Sequence, residues 1–459
     1  MGWRMLFRGA FAFLLVFLVS NSFATEIQRK SFNAVYTTHP PTIDGRLDDP
    51  SYFSCSPDFS LTQCYPDEGR PPSEKTEFWV LYDHANLYIA VRAFDSQPQR
   101  VAGRLTRRDE SSESDWIQIV LDPYLDRRTG VYFALNPAGV KVDAAYYNDT
   151  DWDISWDEVW DGAAKRDSLG WCAEFSIPFS ILRFKPGPEL TFGLNVNRVI
   201  ERRKEEDLWM PIYNGESGLM SRAGHLTGLR GIAQPRHLEL LPYAVSRVDS
   251  KPRDPLTNPK GTSYEGHPGL DLKYGLASNL TLNATMNPDF GQVEADPVVL
   301  NLSAYETFYP EKRPFFLEGA TTFNMPMTLF YSRRIGKALY QGGTQYSVNT
   351  NTDAVKQFPD FAPILTAGKL TGKVGKISLG ILDGVTGQAY ATVDSSGVDL
   401  KRLVEPCSNY LVLRSQADLG ASSLGLLGTA VNREGLEPAG TGGLDWRWRF
   451  AKNTYSFKG

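Results

Sequence analysis

Three tryptophans spaced four apart, Trp152, Trp156 and Trp160, stand among Asp149, Asp151, Asp153, Asp157 and Asp161. Flat aromatic faces stack on the C–H faces of sugar rings and fixed polar groups pair hydroxyls, so this segment holds both halves of a carbohydrate site. The same spacing would also put the rings on one side of one or two helical turns, packed on a core as a lid. Trp116 and Trp171, each at the start of an apparent strand, are further candidates for gripping sugar, with core packing as the alternative. Asp149, Asp151 and Asp153 alternate, and carboxylates so close together repel unless a cation or solvent screens them. Calcium accepts such oxygen clusters, but the run lacks the other ligands and the turn glycine of an EF-hand, which leaves a solvated acidic loop as the alternative. Structural calcium is the one cofactor these residues suggest. Cys55 and Cys64 could close a small disulfide after export or remain thiols. Cys172 and Cys407 read as buried or unpaired. With no CxxC and five scattered histidines, zinc has little support.

No GxSxG, P-loop or HExxH is present. A carboxylate pair for glycoside hydrolysis could be drawn from the acidic residues, but separation in space is not written in a sequence. The catalytic residues are therefore unassigned. Two classes of function remain, a carbohydrate-binding protein and a glycoside hydrolase of the cell envelope.

The elements that would position these residues begin with an export signal over residues 1–24. Arg4 and Arg8 form its basic region, Gly9 to Val19 its apolar core, and Ser22-Phe23-Ala24 a cleavage site. That apolar run is too short to cross a hydrocarbon layer of about 30 Å as a helix, and no later run reaches about 18 apolar residues. A chain that enters a membrane without such a helix must do so as a β-barrel. At 459 residues it is too long for one ordinary core, so two or three domains are expected. A net charge of −5 gives no electrostatic argument for nucleic acid as a partner. Aromatics at 12%, with 40 Gly and 29 Pro, suit a strand-rich, turn-rich protein.

Residues 25–234 read as an antiparallel β-sandwich. Glu77 to Tyr82 and Leu87 to Phe94 form a hairpin, followed by alternation at Ile117/Ile119/Leu121, Val131/Phe133/Leu135, Val140/Val142/Ala144 and Trp171/Ala173/Phe175/Ile177. Pro41-Thr42-Ile43-Asp44-Gly45-Arg46-Leu47-Asp48-Asp49-Pro50, that hairpin, Ser114-Asp115-Trp116 and Gly170 to Pro178 together resemble the family 9 carbohydrate-binding module. The resemblance implies a sandwich on which aromatic rings grip sugar and structural calcium is common.

From residue 235 to 459 the alternation is longer. Leu270, Leu272, Tyr274 and Leu276 oppose Asp271 and Lys273; Leu280, Leu282, Ala284 and Met286 oppose Thr281, Asn283 and Thr285. Leu411, Leu413, Ala417 and Leu419 oppose Arg414, Gln416 and Asp418, and Leu444, Trp446, Trp448 and Phe450 oppose Asp445, Arg447 and Arg449. Runs of about ten residues, apolar on one side and charged on the other, are what a transmembrane barrel requires; a soluble sandwich is the alternative. The stretch from Asn287 to Gly336, including Tyr309-Pro310-Glu311-Lys312-Arg313-Pro314-Phe315-Phe316-Leu317-Glu318-Gly319 and Tyr331-Ser332-Arg333-Arg334-Ile335-Gly336, resembles an uncharacterised family of bacterial outer-membrane proteins, the DUF5916 type. Members carry a family 9-like module ahead of a barrel, which implies the outer membrane as destination and its lipid as a partner. Residues 287–340 lack strand period and read as a lumen segment in which Glu306, Glu311, Lys312, Arg313 and Glu318 pair across water. The fold expected is all-β, a sandwich followed by part of a transmembrane barrel, since the strands after 235 are too few to close one alone.

Overall fold

A computed structural model describes residues 28–232, 238–250, 252, 261–277, 279–288, 308–340, 343–420, 422–450 and 455–459. The expected export signal and Glu306 lie outside the described residues. The structure is all-β. The first unit is two sheets face to face. The larger runs in the order Ser31–Asn33, Gly224–Arg230, Glu189–Ile200, Trp116–Asp122, Gly130–Leu135, Lys141–Tyr147, Asp151–Asp153, with Glu205–Leu208 paired to Glu189–Ile200 and Thr62–Tyr65 paired in turn to Glu205–Leu208. The smaller is Asp161–Asp167, Gly170–Pro178, Asn86–Phe94, Thr76–Tyr82, Val35–Tyr36.

Alternation explains why they stack. Ile117, Ile119 and Leu121 pair with Leu135, Phe133 and Val131 on one face, and Phe78, Ile89, Val91, Phe175 and Ile177 answer from the other sheet. Each large side chain fully removed from water there contributes roughly 1.5–3 kcal/mol.

The second unit is a nine-stranded, wholly antiparallel sheet from Leu238–Ser250 to Tyr455–Lys458. It is open, because its two edge strands do not pair with each other among the described residues. A three-stranded sheet, Ala354–Gln357, Ala389–Ser395 and Val398–Glu405, stands beside it with its own small core. Residues 308–340 form a short helix, Pro314–Leu317, and 3-10 turns laid against one face, where Phe315, Phe316, Phe323 and Ile335 meet Ile364, Ala367, Leu382, Val412 and Leu427. Within this segment Glu311 and Arg313 close on each other at 2.7 Å, and Arg313 also donates to the carbonyls of Ile335 and Ser332. Among the described residues no helix is long and apolar enough to cross a membrane.

Candidate functional site

The tryptophans expected to act together are separated. Asn148 and Asp149 adopt φ of 52° and 81°, turning the chain so that Asp151–Asp153 pairs back on Lys141–Tyr147. The segment is thus strand and loop, and the lid-like helix is not formed. Strand alternation sends Trp152 to one face and Asp151 and Asp153 to the other. Trp152 is 53% exposed. Trp156 is half-buried, its ring 5.9 Å from that of Phe133. Trp160 is buried, stacked on Phe175 at 5.8 Å, and Trp171 lies wholly inside the sandwich. Trp116 is buried on the outside of the larger sheet against Ala134, Val140 and Val142. Trp116, Trp160 and Trp171 are therefore structural, which corrects their candidacy as sugar contacts.

The register assembles a different aromatic group. Tyr146 pairs with both Gly130 and Trp152, and Tyr132 with Val120 and Ala144, so Tyr132, Tyr146 and Trp152 share the outer face of the larger sheet. Their rings meet edge to face, Tyr132 lying 6.2 Å from Tyr146 and 6.3 Å from Trp152. Burial, then the neighbouring Tyr146 and Glu206, hold the Tyr132 hydroxyl pKa above its ordinary value. Gln118 and Asn197 lie on the same face at 3.5 Å from each other, and the Asn197 Oδ1 is buried without a partner among the described residues. The sequence signal for Tyr132 was its place between Val131 and Phe133, which put it on the face opposite the core.

The calcium expectation is also corrected. Asp149 accepts from the Leu219 and Ser221 amides at 3.0 and 2.8 Å, Asp151 pairs with Arg447 at 3.0 Å, and Asp153 accepts from Ser155 and Thr321. Each carboxylate is drawn to its own partners, so the three do not converge. The acids that do converge among the described residues are Asp109, Asp143 and Asp157, and Arg108 fills their centre at 3.5, 2.6 and 2.8 Å. The disulfide does not form either. Cys55 and Cys64 are both free: Cys55 follows the 3-10 turn Pro50–Ser54, facing the Val80 backbone, whereas Cys64 sits on Thr62–Tyr65 beside Ile212.

The acidic loop instead joins the sandwich to the nine-stranded sheet. Arg449 lies 3.4 Å from Asp149, Lys373 bridges Asp126 and Asp418 at 2.5 and 2.6 Å, and Lys273 bridges Glu158 and Glu318 at 2.7 and 3.1 Å. Between the two units lies a cavity of about 450 Å³, lined by Tyr146, Trp156, Arg183, Asn279, Asn283 and Gln416 among others. Arg183 is exposed within it though enclosed by protein, and that enclosure lowers its pKa while Glu158 and Glu318 raise it. No sequence pattern marked Arg183.

Residues 234–459 match a family model described as Domain of unknown function (DUF5916). No curated protein matches the chain. Among solved structures, a carbohydrate binding module family 9 from Caldicellulosiruptor kristjanssonii in complex with glucose is 18% identical, covering 45% of this chain and 100% of that one, with a TM-score of 0.34. The same organism's module in complex with cellotriose is 18% identical, covering 43% of this chain and 93% of that one, with a TM-score of 0.33.

Proposed function

We propose that this chain is an exported outer-membrane protein whose sandwich binds carbohydrate on the outer face of its larger sheet. The observation that carries the binding reading is the group Tyr132, Tyr146 and Trp152, an aromatic surface bordered by Gln118, Asn197 and Glu206. Aromatic rings of this kind supply stacking area at low entropic cost, and amides and carboxylates beside them fix sugar hydroxyls.

The membrane reading rests on the second unit's polarity. Leu240, Leu276, Met286, Leu413, Leu426, Leu444 and Phe457 are exposed, while Thr285, Lys369, Thr371 and Arg414 are buried on the opposite face. A sheet in water does the reverse, and barrel strands facing lipid do this. In this reading the nine strands contribute to a transmembrane barrel, residues 308–340 lie in its lumen, and carbohydrate and outer-membrane lipid are the partners.

Binding is tested on a glycan array with the full chain in detergent. Trp152→Ala is expected to abolish the signal and Trp448→Ala, on the apolar face, to retain it. Equal binding by Trp152→Ala and the native chain would overturn the assignment of the surface. Flotation with lipid vesicles tests the second part, and a chain that stays in the aqueous fraction contradicts it.

A further inference from the structure

The acids and bases around the inter-unit cavity are unevenly matched. Its carboxylates are held: Asp151 by Arg447, Glu318 by Lys273, Asp418 by Lys373, Asp445 by Arg414, and Asp153 by hydrogen bonds from Ser155 and Thr321. Arg183 is not held in this way. One of its guanidinium nitrogens donates to Thr281 Oγ1 at 2.8 Å, and among the described residues no carboxylate lies within ion-pair distance of it. Glu158 and Glu318, whose charges reach it, are both engaged by Lys273. A guanidinium carries five donors and stays protonated, and among the described residues only the bond to Thr281 engages the Arg183 donors, at the wall of the cavity.

Two aromatic side chains line the same cavity as this charge. Trp156 and Tyr146 both line the cavity, and Tyr146 also belongs to the aromatic group with Tyr132 and the exposed Trp152. The surface and the cavity are therefore continuous through one residue. About 450 Å³ lies within the usual span for small-molecule sites, roughly 300–1,000 Å³, and suits one or two sugar rings better than a polymer.

We propose that this cavity is a second sugar site, specific for a saccharide bearing a carboxylate, with Arg183 as the carboxylate anchor and Trp156 and Tyr146 as stacking faces. The proposal rests on the carbohydrate reading of the sandwich. A guanidinium receives a carboxylate through two parallel hydrogen bonds, a geometry no neutral hydroxyl reproduces. A glycan laid across Trp152 and Tyr146 would present its acidic end to Arg183, while a neutral end would leave the guanidinium uncompensated.

The test uses the full chain in detergent, titrated by calorimetry with two disaccharides of the same linkage, one ending in glucuronate and one in glucose, and with sodium sulfate as an anion-only probe. The acidic disaccharide is expected to bind at least about tenfold more tightly, as a charged hydrogen-bonded pair gives. Arg183→Gln should erase that preference while leaving the neutral affinity, and Arg183→Lys should restore part of it, which a variant that merely misfolds could not do. Equal binding of the two sugars, or a preference that survives Arg183→Gln, overturns the proposal. So does displacement of the acidic sugar by equimolar sulfate, which would reduce the cavity to a general anion site. If Trp152→Ala removes neutral binding while Arg183→Gln changes nothing, the cavity proposal fails and the exposed surface stands. If neither sugar binds the native chain, both fail together.

Discussion

The Gly45 amide donates a 2.6 Å hydrogen bond to the Glu174 carboxylate, across 129 residues of chain. The Asp44 amide donates to the same oxygen at 3.1 Å and the Tyr52 hydroxyl to the other at 2.6 Å. The loop around Gly45 and the strand Gly170–Pro178 are thus two halves of one joint. Gly45 has φ of +83°, and a Cβ there would stand 2.8 Å from the Ala164 carbonyl carbon. Gly45→Ala combines backbone strain with that clash and is expected to cost about 1–3 kcal/mol or more. An unchanged thermal midpoint for the sandwich would contradict this.

The same joint gives a pH dependence. Burial raises the Glu174 pKa to about 7, against the pull of Tyr52, Gly45 and Asp44. Asp122 and Asp207 are raised to about 7 as well, by burial first and then by the charges of Asp126 and Glu205 respectively. Between roughly pH 4 and pH 7 the folded state keeps protons that the unfolded chain has released, so stability falls as pH rises through that window and levels off above it. Thermal unfolding followed by tryptophan fluorescence should give a higher midpoint near pH 5 than near pH 7.5. Glu174→Gln should flatten part of the slope, and a midpoint that rises with pH would contradict the assignment.

Stability and binding should separate among the tryptophans. Trp171 and Trp160 are enclosed, and truncating either to alanine is expected to cost about 3–5 kcal/mol. Trp152→Ala, at a half-exposed ring, should move the midpoint little and act on sugar affinity. Denaturant unfolding of the three variants checks this order, and a large loss of stability in Trp152→Ala would recast that ring as structural.

The sandwich was legible because its strands alternate cleanly: the expected hairpin is Thr76–Tyr82 with Asn86–Phe94, and Ile117, Ile119 and Leu121 face the core. The motifs that carried the family resemblance do structural duty, as Gly45 with Glu174 shows, and Asp115 likewise accepts from the Glu201 amide. The site was less legible. A spacing of four between tryptophans suggested a helical face, but two left-handed residues, Asn148 and Asp149, made a hairpin and split the rings between surface, cavity and core. Asp149, Asp151 and Asp153 suggested a cation, and Arg447, Arg449, the Leu219 amide and the Thr321 hydroxyl, from distant parts of the chain, took its place. Arg183 depends on a contact between units that no local pattern encodes.

Adjacent residues on one strand give the sharpest test of whether the nine-stranded sheet faces lipid. Within Ser422–Arg433, Leu426 is 55% exposed while Leu427 is wholly buried against the segment 308–340. On a sheet in water, Leu426→Arg would be tolerated at an exposed position, since it removes an apolar group from solvent contact. On a sheet facing lipid it places a charge in hydrocarbon, at about 2–4 kcal/mol near the middle of the bilayer. Leu427→Ala, by contrast, empties a packed position and should cost about 2–5 kcal/mol in either setting. Folding into lipid vesicles, followed by protease protection, is expected to fail or slow for Leu426→Arg. If Leu426→Arg folds into vesicles as readily as the native chain, the exposed leucines face water, and the apolar face has another explanation.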